Sequence, residues 1–267
     1  MKKATSFCCI GLLLILAKPG YAQYTDSSTV SKSADTTPYR INWSTPPIKR
    51  VFPYRQYILP ATMVVYGITT LHVDGLKSVN SKIKEEVYTE RSNKNPMHID
   101  NFLMYAPGAA VYGLNAMGIK GKNNFRDRTM LFAMSQMIQC AIVFPVKSIA
   151  AETRPDGSNN MSFPSGHTST AFASAEFMRQ EYKDVSPWYG VAGYAVAAST
   201  GFLRMYNNKH WMSDVVAGAG IGIMSTKLAY WIYPVIKKKL FKDKDVSTVV
   251  MPTYQDGSIG VGLVHHF

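Results

Sequence analysis

The sequence is short of acidic residues and of cysteine. Its 267 residues hold 17 Asp and Glu against 29 Lys and Arg, for a formal net charge of +12, and three cysteines. Cys8 and Cys9 fall in the first segment, so Cys140 stands alone. That excludes a disulfide framework and reads as a single buried core thiol. Metal-ligand spacing is absent as well: His72, His98 and the pair His265-His266 have no further ligands within useful reach, and no metal site is expected. No internal repeat occurs, which excludes a solenoid or propeller. Uninterrupted apolar runs are also missing. Gln136, Gln139, His72 and Lys227 dilute stretches that reach the roughly 17–20 residues a membrane span needs.

What is present is apolar. Hydrophobic residues make up 46% of the chain, aromatics 12% and charged residues 17%, ample for one domain with a large core. Lys2-Lys3, an apolar run through Leu16 and the small-residue end Gly20-Tyr21-Ala22 form a secretory signal over 1–22, cut after Ala22. The protein is therefore expected to be exported, to the periplasm or cell envelope. Residues 23–55 are polar and Pro-rich, an extended lead-in. Apolar periodicity predicts helices at 57–73, 102–119, 129–146, 167–178, 187–203 and 211–236, with an amphipathic helix inside the polar stretch 75–100. The expected fold is all-α over 56–241, a helical bundle of about six core helices. Over 242–267, Asp256-Gly257 between β-leaning runs, with Pro252 marking an edge strand, predicts a short C-terminal β-hairpin packed on the bundle.

Chemistry concentrates in three clusters: Lys147 with Arg154-Pro155, then Pro164-Ser165-Gly166-His167, then Arg204 with His210 and Asp214. His210 and Asp214 stand four apart at the start of a helical run, which puts them on one face. The carboxylate can accept the Nδ1 proton and leave Nε2 as a nucleophile. Proline and serine open the next helix, and its free N–H groups seat an anion beside Gly166. His167 at that rim is placed to protonate a departing oxygen. Lys147, Arg154 and Arg204 supply the positive charge that a phosphoryl group in transfer requires. Taken singly, each cluster also fits a structural role: a helix-face pair, a Ser-capped helix start, solvated surface cations.

In order and spacing the three clusters resemble the signature of the type 2 phosphatidic acid phosphatase family, which also contains bacterial acid phosphatases and vanadium haloperoxidases. That signature is Lys-x6-Arg-Pro, Pro-Ser-Gly-His and Ser-Arg-x5-His-x3-Asp. The resemblance implies a metal-independent phosphatase. His210 is then the nucleophile that forms a phosphohistidine, Asp214 its orienting partner, and His167 the acid and later the base. Lys147, Arg154, Arg204, Ser165 and Gly166 bind the phosphate. No cofactor is implied, and vanadate is expected as an inhibitor that mimics the transition state. A vanadium haloperoxidase, or a catalytically silent envelope protein of the same fold, is the alternative.

Two departures stand out. Leu203 replaces the usual serine before Arg204, which removes one donor to the anion. The connection Asp156 to Phe163 is short, which predicts an open pocket without a lid.

The charge of +12 falls to +9 when Lys2, Lys3 and Lys18 leave, and suits anionic partners: phosphorylated small molecules, acidic lipid head groups or lipopolysaccharide. Nucleic acid is not expected, because the basic residues are dispersed and the chain is exported. The oligomeric state is left open. Lys120, Lys122, Arg126, Arg128 and Lys237 to Lys239 are expected at the end away from the site, which turns the site outward by the positive-inside rule. Three crossings after an export signal would instead deliver Lys147 to the cytoplasm. Both hold if the bundle rests on a membrane, the reading preferred here over an integral protein whose site faces the periplasm.

Overall fold

The computed structural model describes residues 52–92 and 94–241, with side chains through 239, and the backbone of 248–255 and 258–265. The export signal over 1–22 and nearly all of the lead-in lie outside the described residues. A 3-10 turn over Tyr54–Tyr57 opens into α1 (Ile58–Thr70). Then follow α2 (Asp74–Lys84), a π turn over Glu85–Thr89, the short α3 (Asp100–Leu103) and α4 (Ala106–Ala116). The long helices are α5 (Phe125–Ala150), α6 (Gly166–Tyr182), α7 (Pro187–Tyr206) and α8 (Met212–Phe241). The all-α expectation holds for residues 52–241. Of the C-terminal hairpin only backbone is described, an antiparallel pairing of Thr248–Gln255 with Ser258–His265. Its side chains and its packing lie outside the described residues.

α6 and α8 form the centre. α6 packs on α4, α5, α7 and α8, and α8 on α1, α5 and α6. α6 is buried at nearly every position from Thr168 to Tyr182, its buried residues small through Ser174 and, in its last turns, including the buried acids Glu176 and Glu181 paired with arginines. The contact between the two is set by glycine. A Cβ on Gly218 would come within 2.5 Å of the Ser165 carbonyl oxygen, and one on Gly222 within 2.2 Å of the Ser169 carbonyl oxygen. Gly220, about 200° away around the helix, faces α1, where a Cβ would stand 2.5 Å from the Pro60 carbonyl oxygen. α8 thus offers a glycine face to each of two neighbours.

α5 is longer than the apolar period suggests. The side chain of Asn124 accepts the Asp127 N–H at 2.9 Å and starts the helix there. Its charged first turn, which broke the pattern, is folded inward. Arg128 and Glu181 are both buried and paired at 3.3 Å, while Lys237 meets Asp127 at 2.8 Å. This end of the bundle lies about 33 Å along α5 from Lys147, as expected, but part of its positive charge is neutralised by partners. At the other end α5 closes with Ala151 in the left-handed region, φ 47°.

Gly222→Ala is expected to destabilise the protein by about 1–3 kcal/mol, the usual cost of forcing a methyl into a filled seam. Gly113→Ala, where a Cβ would meet nothing within 4 Å, should be neutral or stabilise by up to about 1 kcal/mol. Thermal unfolding followed by circular dichroism separates the two.

Candidate active site

Each cluster sits at a helix end, and local chain chemistry explains why. α7 ends in a six-to-one closure: Lys209 N–H bonds the Arg204 carbonyl at 2.9 Å and Asn208 N–H the Met205 carbonyl at 2.9 Å. Asn208 takes the left-handed position, φ 59°, where asparagine is the commonest substitute for glycine. This closure folds the chain back so that Arg204, in the last turn, and His210, just beyond it, serve the same space. His210 therefore precedes α8 and does not lie on it, a correction to the shared-face reading. Asp214 stands in the first turn of α8, where its Oδ2 accepts the Trp211 N–H at 2.9 Å, an acidic residue reaching back over the helix start.

Asp214 is wholly buried and collects bonds from all sides. Ser162 Oγ donates to Oδ2 at 2.5 Å, and the Asp214 carbonyl accepts the Ser165 N–H at 3.0 Å. His210 Nδ1 lies 3.5 Å from Oδ2, beyond good hydrogen-bond range, and Nδ1 and Asp214 Oδ1 are both left without partners. Burial pushes the carboxyl up to about 6, against the pull of Ser162 and the Trp211 amide. Burial, then the field of Lys147, Arg204 and Arg154, holds His210 well below the ordinary histidine range, so its ring is neutral.

Ser165 caps α6, its Oγ accepting from the Thr168 N–H and hydroxyl. At Gly166 a Cβ would meet only Val143 and Lys147, at 3.8 and 3.9 Å. The protein does not fill the space above this glycine. A cavity of about 310 Å³ does, lined by Lys147, Arg154, Gly166, His167 and His210. Lys147 is held by the carbonyls of Met161 and Ser162 at 2.7 and 3.4 Å. Burial and the neighbouring Arg154 bring its ammonium down to about 8. Arg154 Nε is buried and unpartnered. Burial and Arg204 lower His167 to about 4. Arg204, Ser165 and Asp214 stand behind the lining, with Arg204 Nη1 bound to Asp100 Oδ2 at 2.5 Å. All eight site residues expected from the sequence converge.

The rest of the cavity was not foreseen. Met104, Tyr105, Gln139, Cys140, Val143, Phe144 and Thr170 complete its wall. Cys140 is half-buried and faces the cavity, so the core-thiol reading is corrected. The connection 156–163 is short, as read, and the stretch that brings Met104 and Tyr105 to the wall is tied to the end of α7. Met97 N–H and carbonyl exchange bonds with the Asn207 amide at 2.8 and 2.7 Å, and Arg91 donates to the Tyr206 carbonyl at 2.9 Å. A polar loop with no cluster of chemistry gave no signal of this. Trp211 is not part of the lining: its Nε1 donates to the Thr153 carbonyl at 2.9 Å and pins the Arg154 loop to α8.

Residues 129–238 match the family model described as the PAP2 superfamily. Over 257 residues the chain is 31% identical to the lipid A 1-phosphatase of Porphyromonas gingivalis, covering 93% of this chain and 54% of that one. The chain thus spans about half the length of that relative. Two solved structures are also similar. One is a transmembrane PAP2-type phosphatidylglycerolphosphate phosphatase from Bacillus subtilis (TM-score 0.49, 19% identity, 70% of this chain, 98% of that chain). The other is LpxE of Aquifex aeolicus (TM-score 0.42, 20% identity, 57% and 94%).

An anion in this cavity depends on the Lys147 charge, which is present below its depressed value and lost as pH rises through about 8. Binding of tungstate, a dianion across this range, should weaken between pH 7 and 9. Lys147→Arg keeps its charge and should carry binding to higher pH; calorimetric titrations of both proteins check this.

Proposed function

We propose that the protein is a phosphatase acting on lipid-borne phosphate through a phosphohistidine, a reading supported by the match of residues 129–238 to the PAP2 superfamily model. The observation that carries it is the single cavity bounded by Lys147, Arg154, Gly166, His167 and His210. Its walls combine two chemistries: the cations and imidazoles, and the apolar side chains of Met104, Tyr105, Val143 and Phe144. Phe144 lines the cavity yet is 66% exposed, and Met137 and Ile149 on the same helix are 71% and 82% exposed. An apolar outer face continuous with an anion site suits a head group entering from a bilayer. α5 and Met212–Lys239 are also long and apolar enough to cross a membrane, by length and composition. The lipid A 1-phosphatase named above supports a lipid substrate, and the protein is read as membrane-associated in the cell envelope.

The steps follow from the geometry. Nδ1 of His210 faces Asp214, so Nε2 is the attacking atom, and the ring's neutrality leaves its lone pair free. Nε2 bonds to phosphorus as the P–O ester bond breaks, and the departing oxygen takes a proton from His167. Free of ligand, His167 is mostly neutral at pH 7. A bound phosphate dianion offsets Arg204, Arg154 and Lys147, the cations that depress it, and so favours its protonation. The imidazolium-like charge developing on His210 is met by Asp214. His167, now neutral, takes a proton from water, whose oxygen displaces the P–N bond and yields inorganic phosphate.

His210→Ala should lower turnover of a phosphate ester by a factor of about 10⁴ or more while circular dichroism is unchanged. Wild-type protein quenched in alkali should retain acid-labile phosphate that the variant lacks; full turnover by the variant sinks the reading. In a substrate panel, phosphatidate and lipid A are expected to outcompete soluble monoesters. Vanadate should inhibit competitively and EDTA should not inhibit, whereas loss restored by a divalent ion would replace this mechanism with a metal-dependent one.

A further inference from the structure

Two adjacent residues of α3 grip two of the groups assigned to this reaction. Asp100, buried, holds the Arg204 guanidinium at 2.5 Å. Asn101 Oδ1 lies 2.9 Å from His167 Nε2. Neither belongs to the sequence signature. The stretch just ahead of both is fastened to the end of α7 through Met97 and Asn207. One rigid turn therefore reaches a cation on α7 with one side chain and an imidazole on α6 with the next.

We propose that Asp100 and Asn101 are positioning residues that hold Arg204 and His167 in register around one phosphoryl group. The inference rests on the phosphatase reading of the same cavity. Arginine has several rotamers and a planar fork, and a carboxylate on Nη1 fixes that plane. Arg204 Nε, behind the cavity wall, is buried and without a partner. For His167, an accepting amide oxygen requires the proton on Nε2; the amide orientation is assigned from this contact. Nδ1 is then the nitrogen that gives a proton to the leaving oxygen once the ring is charged. This is the division of labour of an oriented imidazole, one nitrogen anchored and the other reacting. An amide suits the task better than a carboxylate. It orients the ring without adding charge to a ring that already faces Arg204 of α7, Asp100 of α3, Arg154, Lys147 of α5 and His210.

The test uses the full chain in detergent micelles. Asn101→Ala should lower kcat by about tenfold or more on an alkyl phosphate, whose leaving group needs a proton. On p-nitrophenyl phosphate, whose leaving group does not, the loss should stay within about threefold. His167→Ala should show the same leaving-group dependence. Asn101→Asp places a carboxylate on the ring and should raise the His167 titration by about one unit or more, read from ring nitrogen resonances in labelled protein without any turnover. Asp100→Asn should weaken tungstate binding by about tenfold, with Asp100→Glu closer to wild type. Equal losses on the two esters, or a His167 titration unmoved by Asn101→Asp, overturns the clamp. Asn101 is exposed, so its variants decide the matter even if Asp100→Asn fails to fold. If wild type turns over esters and His210→Ala does not, the phosphatase reading stands whatever Asn101 does. If wild type hydrolyses neither ester, that reading falls and the clamp with it.

Discussion

A carboxylate shut away from water holds this site together. Asp214 has no exposed surface, and desolvating an isolated charge there would cost several kcal/mol. It is retained because Ser162, from the connection after α5, and the Trp211 N–H, at the start of α8, both donate to Oδ2. The backbone carbonyl of Asp214 takes the Ser165 N–H at the start of α6. Each of those stretches carries one of the signature clusters. Anchoring one buried residue therefore brings His210, the start of α6 and the lysine's carbonyl cradle into a single arrangement. The close approach of α6 and α8 at Gly218 makes this possible, since any side chain there would drive the Ser165 backbone away.

The electrostatics of the site follow from that enclosure. Burial first, and then three cations with few acidic neighbours, raise the cost of any further positive charge, so both imidazoles are driven toward neutrality. The same field would draw a dianion, and a dianion bound there would restore basicity to His167. Binding and protonation are thus linked. Asp100 is the counterweight: it sits on Arg204 and keeps the empty site from being a bare cluster of positive charge.

Much of this was legible beforehand. The six apolar stretches became α1 and α4 to α8 because buried helices carry their own period. The site residues were legible because their order and spacing form a signature that needs no knowledge of the fold. Boundaries were less so: the first turn of α5 is charged, and Arg128 is buried only because Glu181 lies opposite it. Ser162, Asp100 and Asn101 left no trace, since common polar residues in a loop announce nothing until folding brings them to a partner. The part of the wall made by Met104 and Tyr105 was hidden for the same reason, since the short connection 156–163 said nothing about chain arriving from α3.

The anchoring of α3 has a mechanical consequence. Met97 just ahead of it is tied to Asn207, beyond the helix end that bears Arg204, and Asp100 within it holds Arg204 itself. A bulkier ligand could not be admitted by shifting α3 without dragging the arginine from its post. Room would have to come from the α5 flank, at Val143 and Phe144, where a changed side chain disturbs no ion pair. Divergence in head-group preference within such a scaffold would accordingly collect on one helix, leaving the reactive core untouched.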